Sequence, residues 1–225
     1  MKQLFSLLFT CLVLQAFTQG PAKTYIQDEA DIALKKMSTR YEAFKTIKAD
    51  FKLVVTNPKL KPTDNEAKLT DTIPGSISLK GEKFKIVMPG QEIFCDGKNI
   101  WTYLPKEREV QVDLFEETDD VFSPSKLFSF YKTGFSYQVK EKKTVAGKKI
   151  LVAEMSPVNK KTSYFKIDVS INDSNAALLE SKIYAKNGSR YLYKITAEKP
   201  DVELSDAFFT FDAAKYPGVK VIDLR

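Results

Sequence analysis

Few side chains in this sequence could carry chemistry, because its 225 residues include no histidine. A Ser-His-Asp triad, a Cys-His pair, an HExxH zinc helix and an imidazole general base are all excluded. Ser123, Ser125 and Lys126 have the residue types of a Ser-Lys dyad. Their order reads better as a helix start, with Ser123 as cap and Pro124 at the first helical position. Cys95 lies in an apolar strand pattern with no helix N-terminus beside it, the setting of a buried, inert thiol and not of a nucleophile. The acidic runs Glu116-Glu117 and Asp119-Asp120 lack calcium-loop spacing and a glycine turn, and read as a solvated loop. No catalytic residue, metal ligand or cofactor is expected from these patterns.

What the chain has in quantity is apolar surface: 43% hydrophobic residues, among them 16 Phe, 10 Tyr and 1 Trp. That suits binding better than catalysis. The elements that must position these side chains follow from hydrophobic period. From Thr24 to Lys45, apolar residues at Ile26, Ala30, Leu34, Met37, Tyr41 and Phe44 recur every three or four positions, which predicts an amphipathic helix. The period then becomes two: Ile47, Ala49, Phe51, Leu53 and Val55 form one face of a strand. Asn57 to Pro74, rich in proline and charge, reads as a long exposed loop and is the best candidate for docking a partner. Strand patterns follow at Ile77 and Leu79, Phe84 to Met88, Ile93 to Cys95, Ile100 to Tyr103 and Val110 to Leu114. After a short helix carrying Leu127, Phe128, Phe130 and Tyr131 they resume at Phe135 to Glu141, Lys149 to Ser156, Tyr164 to Ile171, Ala177 to Lys186 and Tyr191 to Ala197. About ten strands with two helical segments predict an α+β fold in which an antiparallel sheet curls into a barrel or bends strongly.

A sheet curved over helices can leave an apolar hollow. Phe51, Leu53, Ile77, Leu79, Phe84, Ile86, Met88, Trp101, Tyr103 and Val112 on the strands, with Leu127, Phe128 and Phe130 on the second helix, are the candidate lining. The same residues fit an ordinary packed core, and periodicity does not separate the two.

Residues 1–18 read as a signal peptide: Lys2, the apolar run Leu4 to Leu14, then Ala16-Phe17-Thr18 before a cut at Gln19. The run is well short of the roughly 20 residues that span a bilayer. Leu8-Phe9-Thr10-Cys11 only loosely imitates a lipobox. Residues 19–225 are then a single exported domain whose one remaining cysteine, Cys95, cannot form an internal disulfide, which suits a bacterial periplasm. The net charge of +6 is interspersed along the chain and gives no nucleic-acid footprint.

The segment Ile93-Phe94-Cys95-Asp96-Gly97-Lys98-Asn99-Ile100-Trp101-Thr102-Tyr103-Leu104-Pro105 resembles the DGKxxWxYxP hairpin of the periplasmic outer-membrane lipoprotein carrier family (LolA-like). Ile47 to Phe51 resembles that family's opening strand, Gly75 to Met88 its next strand pair, and Phe209-Thr210-Phe211 with Pro217 to Ile222 its FxFxxPxGVxV tail. The resemblance implies an unclosed, half β-barrel of strongly curved antiparallel sheet with helices covering its concave apolar face. It implies a monomeric, non-enzymatic carrier that shields lipoprotein acyl chains, receives them from an inner-membrane ABC-type release complex and passes them to an outer-membrane acceptor. The family's lid-holding arginine precedes a proline before the F-x-hydrophobic strand. Here the sequence is Lys80-Gly81-Glu82-Lys83, so Lys80 or Lys83 is the candidate substitute. Three other functions are compatible with parts of this pattern. A related half-barrel senses lipid or lipoprotein in envelope-stress signalling, but with a second domain. A carboxylate-dependent hydrolase would need acids facing inward, whereas Asp50, Glu92 and Glu109 are phased outward. An outer-membrane receptor of this fold would carry a lipobox cysteine.

Overall fold

The computed structural model describes residues 29–56, 70–116 and 134–225. Helix α1 (Glu29–Glu42) precedes β1 (Ile47–Thr56), β2 (Thr70–Lys80), β3 (Lys83–Met88), β4 (Gln91–Cys95), β5 (Asn99–Leu104) and β6 (Glu109–Leu114). Then follow β7 (Phe135–Val145), β8 (Lys148–Pro157), β9 (Tyr164–Asn172), β10 (Leu178–Ala185), β11 (Arg190–Pro200) and β12 (Lys220–Asp223). All twelve strands belong to one sheet, ordered β12-β6-β5-β4-β3-β2-β1-β11-β10-β9-β8-β7. Two meanders, β1 to β6 and β7 to β11, therefore join along the β1–β11 ladder, and β7 and β12 remain as open edges.

Every pairing is antiparallel except that of β12 with β6. Tight turns make the meanders cheap to close. At Asp96-Gly97 the Asp96 carboxylate accepts from the backbone N–H of Lys98 (2.8 Å) and Asn99 (2.7 Å), and Gly97 takes φ +92°, a conformation that favours glycine. Register breaks on the β1–β11, β7–β8 and β9–β10 ladders insert extra residues that bend and twist the strands. One apolar cluster contains residues from β3 and β4 as well as from β8 and β9, so the sheet curls around a shared interior.

The first meander begins earlier than its sequence suggests. Pro74 and Gly75 lie inside β2, opposite Lys52 and Phe51, and the strand starts at Thr70. The expected loop therefore loses its end, Thr70 to Pro74, to the sheet. Proline usually argues against a central strand; at Pro74 the ladder tolerates it. The rest of that expected loop, and the Ser123 helix, lie outside the described residues.

Helix α1 ends at Glu42, short of Lys45, because long-range contacts pull the chain off the helix axis. The Lys45 N–H donates to Asp201 (2.8 Å) and the Thr46 hydroxyl to the Val202 carbonyl (2.5 Å). β12 adds a strand that local periodicity does not reveal, since only its partner β6 defines it.

Candidate functional site

Strand alternation, carried across each ladder, sorts the side chains onto two faces. The inner face carries Phe51, Leu53, Ile77, Leu79, Phe84 and Cys95 from the first meander and Leu151, Ala153, Met155, Ile167, Val169 and Ile171 from the second, all buried in the main cluster. Helix α1 lies against β7, β8 and β9, contributing Ala30, Leu34, Met37 and Tyr41 to the same cluster.

Polar contacts fix the helix at both ends. Near its start, the Tyr137 hydroxyl donates to Asp31 (2.6 Å), which also pairs with Lys35 (2.7 Å). Near its end, Glu198 of β11 accepts from Arg40 and from the Tyr41 hydroxyl, both at 2.5 Å, while the Tyr41 oxygen accepts from the Leu178 N–H (3.0 Å). Burial, then the Glu198 carboxylate, push the Tyr41 phenol well above its ordinary range. The phenol therefore stays protonated and keeps donating.

The first meander's inner face has its own furniture. The Phe115 ring meets Phe84 edge to face at 5.7 Å, and Ile86, Met88, Ile93 and Ile100 pack against the cluster while remaining partly accessible. The Phe51 ring lies over Gly75, where an added Cβ would come within 2.4 Å of it. The missing side chain at Gly75 is thus what lets a large ring lie flat across β2, with Tyr193 tilted against its other side at 5.9 Å. Cys95 is fully buried here, and burial pushes its thiol up to about 11, leaving it unreactive at neutral pH.

Seven of the residues singled out from sequence therefore share the inner face: Phe51, Leu53, Ile77, Leu79, Phe84, Ile86 and Met88. Leu127, Phe128 and Phe130 lie outside the described residues. Trp101, Tyr103 and Val112 do not join the seven. The β4–β5–β6 register aligns Phe94, Trp101 and Val112 and sets Tyr103 beside Val110, which puts them on the outer face. There Phe94, Val110 and Phe211 form a second cluster with Trp101, Tyr103, Tyr216 and Val219. Phe211 stacks on Tyr216 at 4.5 Å, and Tyr103 lies 4.6 Å from Tyr216. They leave the candidate lining because β4 and β5 carry apolar residues on both faces and β6 turns Val110 and Val112 outward, where the C-terminal tail packs on this side of the sheet.

Lys80 and Lys83 belong to that tail's attachment. Both pair with Asp206, at 2.9 and 2.7 Å, and Lys80 also donates to the Leu204 carbonyl. The two lysines, Lys83 first, hold the Asp206 carboxyl down at about 2. They hold the tail to the outside of β2 and β3, a different task from the lid-holding considered for them. Asp50 is exposed and Glu92 pairs with Lys85 (3.0 Å) on the outer face. Glu109, opposite Leu104 and alternate to the outward Val110, falls instead on the inner side at the end of β6, contrary to its expected outward phasing, because β6 turns its valines outward. There it pairs with Lys220 (3.8 Å).

Sequence reasoning missed the second meander's share of the inner face, including Ser181, Tyr191 and Tyr193. The same period of two, read along β10 and β11, was the available signal.

The family model for the outer membrane lipoprotein carrier protein LolA matches residues 42–212. The chain belongs to the LolA family. The match runs from the end of α1 through both meanders to Phe211. An uncharacterized conserved protein from Thermus thermophilus has the same fold, with a TM-score of 0.56 at 8% identity over 87% of this chain and 99% of its own. A LolA superfamily protein from Nitrosomonas europaea aligns over 81% of this LolA-family chain and 97% of its own, with 14% identity and a TM-score of 0.44. The Mycobacterium tuberculosis lipoprotein LppX aligns over 79% and 97%, with 12% identity and a TM-score of 0.47. No curated protein matched the chain in sequence.

Proposed function

We propose that the protein is a periplasmic carrier that holds the acyl chains of lipoproteins against its inner face. It takes cargo from an inner-membrane ABC-type release complex, delivers it to an outer-membrane acceptor, and performs no catalysis. Residues 1–18 direct its export and residues 19–225 act as one monomeric binding domain. The observation that carries this reading is the division of the inner face. Helix α1 is fixed over β7 to β9, while on the other meander Ile86 and Met88, beside Phe51 and Ile77, keep part of their surface accessible.

The physical task fits that surface. Each CH₂ moved out of water gains about 0.8 kcal/mol, so a multi-acyl anchor is strongly disfavoured in the aqueous periplasm and a half-covered apolar face can hold it reversibly. Membership of the lipoprotein carrier family supports the same role.

The test is direct. Protein purified from the periplasm should retain acylated species detectable by native mass spectrometry and by lipid extraction. Added to spheroplasts, it should release lipoproteins into the soluble fraction. Protein that carries no acyl species and releases no cargo would overturn the proposal.

A further inference from the structure

The inner face contains a polar spot that its packing does not explain. The β10–β11 register sets Ser181 opposite Tyr193 and Ile183 opposite Tyr191. Both tyrosines pack against the main apolar cluster, and the Tyr193 ring contacts Phe51. Ser181 is 2% exposed, yet its Oγ has no hydrogen-bond partner among the described residues. Neither the Tyr191 nor the Tyr193 hydroxyl forms a hydrogen bond among the described residues, although burial, followed by the neighbouring Tyr191 phenol, pushes the Tyr193 phenol up.

Three other tyrosines of this protein have hydroxyl partners. Tyr41 donates to Glu198, Tyr137 to Asp31 and Tyr184 to Asp168. An unsatisfied buried hydroxyl such as that of Ser181 calls for an explanation. A buried Ser181 hydroxyl without a partner among the described residues, on the same face as the partly accessible Tyr191 and Tyr193, matches a ligand that brings a polar group along with its hydrocarbon.

The charge of that ligand group is constrained too. Arg40, the cation that α1 brings to β11, has its charge met by Glu198, although its buried Nε–H is left without a partner among the described residues. A carboxylate or phosphate would find no free countercharge from it, whereas a neutral carbonyl needs only a hydroxyl donor.

We propose that Ser181, Tyr191 and Tyr193 form a carbonyl-recognition spot that selects acyl esters and amides over plain hydrocarbon and fixes how deeply the acyl linkage sits on the inner face. The proposal rests on the reading of that face as an acyl-chain site. The phenols donate to the linkage carbonyl, and the chain beyond it lies along Phe51 and its neighbours.

The test compares a monoacylglycerol with the monoalkylglycerol ether of equal chain length, since an ether oxygen is a much weaker acceptor. Titrated into the purified protein by displacement of a fluorescent acyl probe, the ester should bind on the order of tenfold more tightly, the size of one good net hydrogen bond. In the Ser181→Ala/Tyr191→Phe/Tyr193→Phe triple variant the ratio of ester to ether affinity should fall to about one. A carbonyl-labelled ester bound to the unaltered protein should also show its infrared carbonyl stretch lowered from the value in hexane, a readout that needs no variant. Equal binding of ester and ether, or an unshifted carbonyl, overturns the recognition spot and leaves the acyl-chain site standing. Failure of both probes to bind overturns the acyl-chain site itself.

Discussion

The two meanders of the sheet solve the same problem in opposite ways. The second buries the inner face of β7 to β9 under α1, which Asp31, Arg40 and Tyr41 fasten to strands at either end. The outer part of the first meander is clamped from the other side, where the tail stacks Phe211 and Tyr216 on Tyr103 and Phe94. A sheet held from outside can leave its inner face free for something else. The difference teaches that rigidity and binding are separable here: aromatic packing on the outer face supports strands whose inner side chains need not pack fully against each other.

Variants should break that separation in a graded way. Phe211→Ala empties the centre of the outer stack and should cost about 3–5 kcal/mol in denaturant unfolding. Acyl-probe affinity of the folded protein should stay unchanged, because Phe211 lies on the far side of the sheet from Phe51. Glu198→Ala leaves the Tyr41 hydroxyl and the Arg40 guanidinium without their acceptor and should cost about 2–3 kcal/mol. Hydrogen exchange should locate that loss in α1, with β3 to β6 amides still protected.

Gly75→Val acts on the inner face alone. Its side chain meets the Phe51 ring, so the ring must swing away, at a cost of about 1–3 kcal/mol. Acyl-probe binding should weaken more than in Phe211→Ala, although stability falls less. The reverse ranking would mean that the two faces are not independent.

Much of this architecture was legible in the sequence. The period of two along Ile47 to Val55 puts Phe51 and Leu53 on one face, because polar residues separate them for most of the strand, and that face is the inner one. Trp101, Tyr103 and Val112 were misplaced because apolar residues adjoin at Phe94-Cys95 and Ile100-Trp101. Alternation within one strand cannot then say which face is inner. Carrying the register from Phe84 to Cys95 and across the tight Asp96-Gly97 turn to Ile100 resolves it, but that requires knowing the pairing. Pro74 disguised the start of β2, and β12 is defined only by its distant partner β6. The Tyr193 and Ser181 hydroxyls were invisible for a simpler reason: an unmet hydrogen bond is a property of the packed structure and not of residue type.

The smallest effect expected concerns the tail's ion pairs. Asp206 has a folded-state value of about 2, below its unfolded value of about 3.9. Its contribution to stability is therefore present above about pH 4 and is lost as pH falls through about 2. Because Asp206 is exposed, the effect on global stability should be slight. Carboxyl NMR should instead show its titration midpoint returning towards the ordinary range in Lys80→Ala/Lys83→Ala, with the acyl affinity unaffected.

The central claim is that the inner face, and not the outer aromatic cluster, holds acyl chains. A photoactivatable fatty-acyl probe, crosslinked to the purified protein and mapped by peptide mass spectrometry, tests it most directly. Labels should fall on β1 to β3 at Phe51, Ile77, Ile86 and Met88, and be displaced by excess acylated lipid. Labelling concentrated at Trp101, Tyr103, Phe211 and Tyr216, or no displaceable labelling anywhere, would contradict the account.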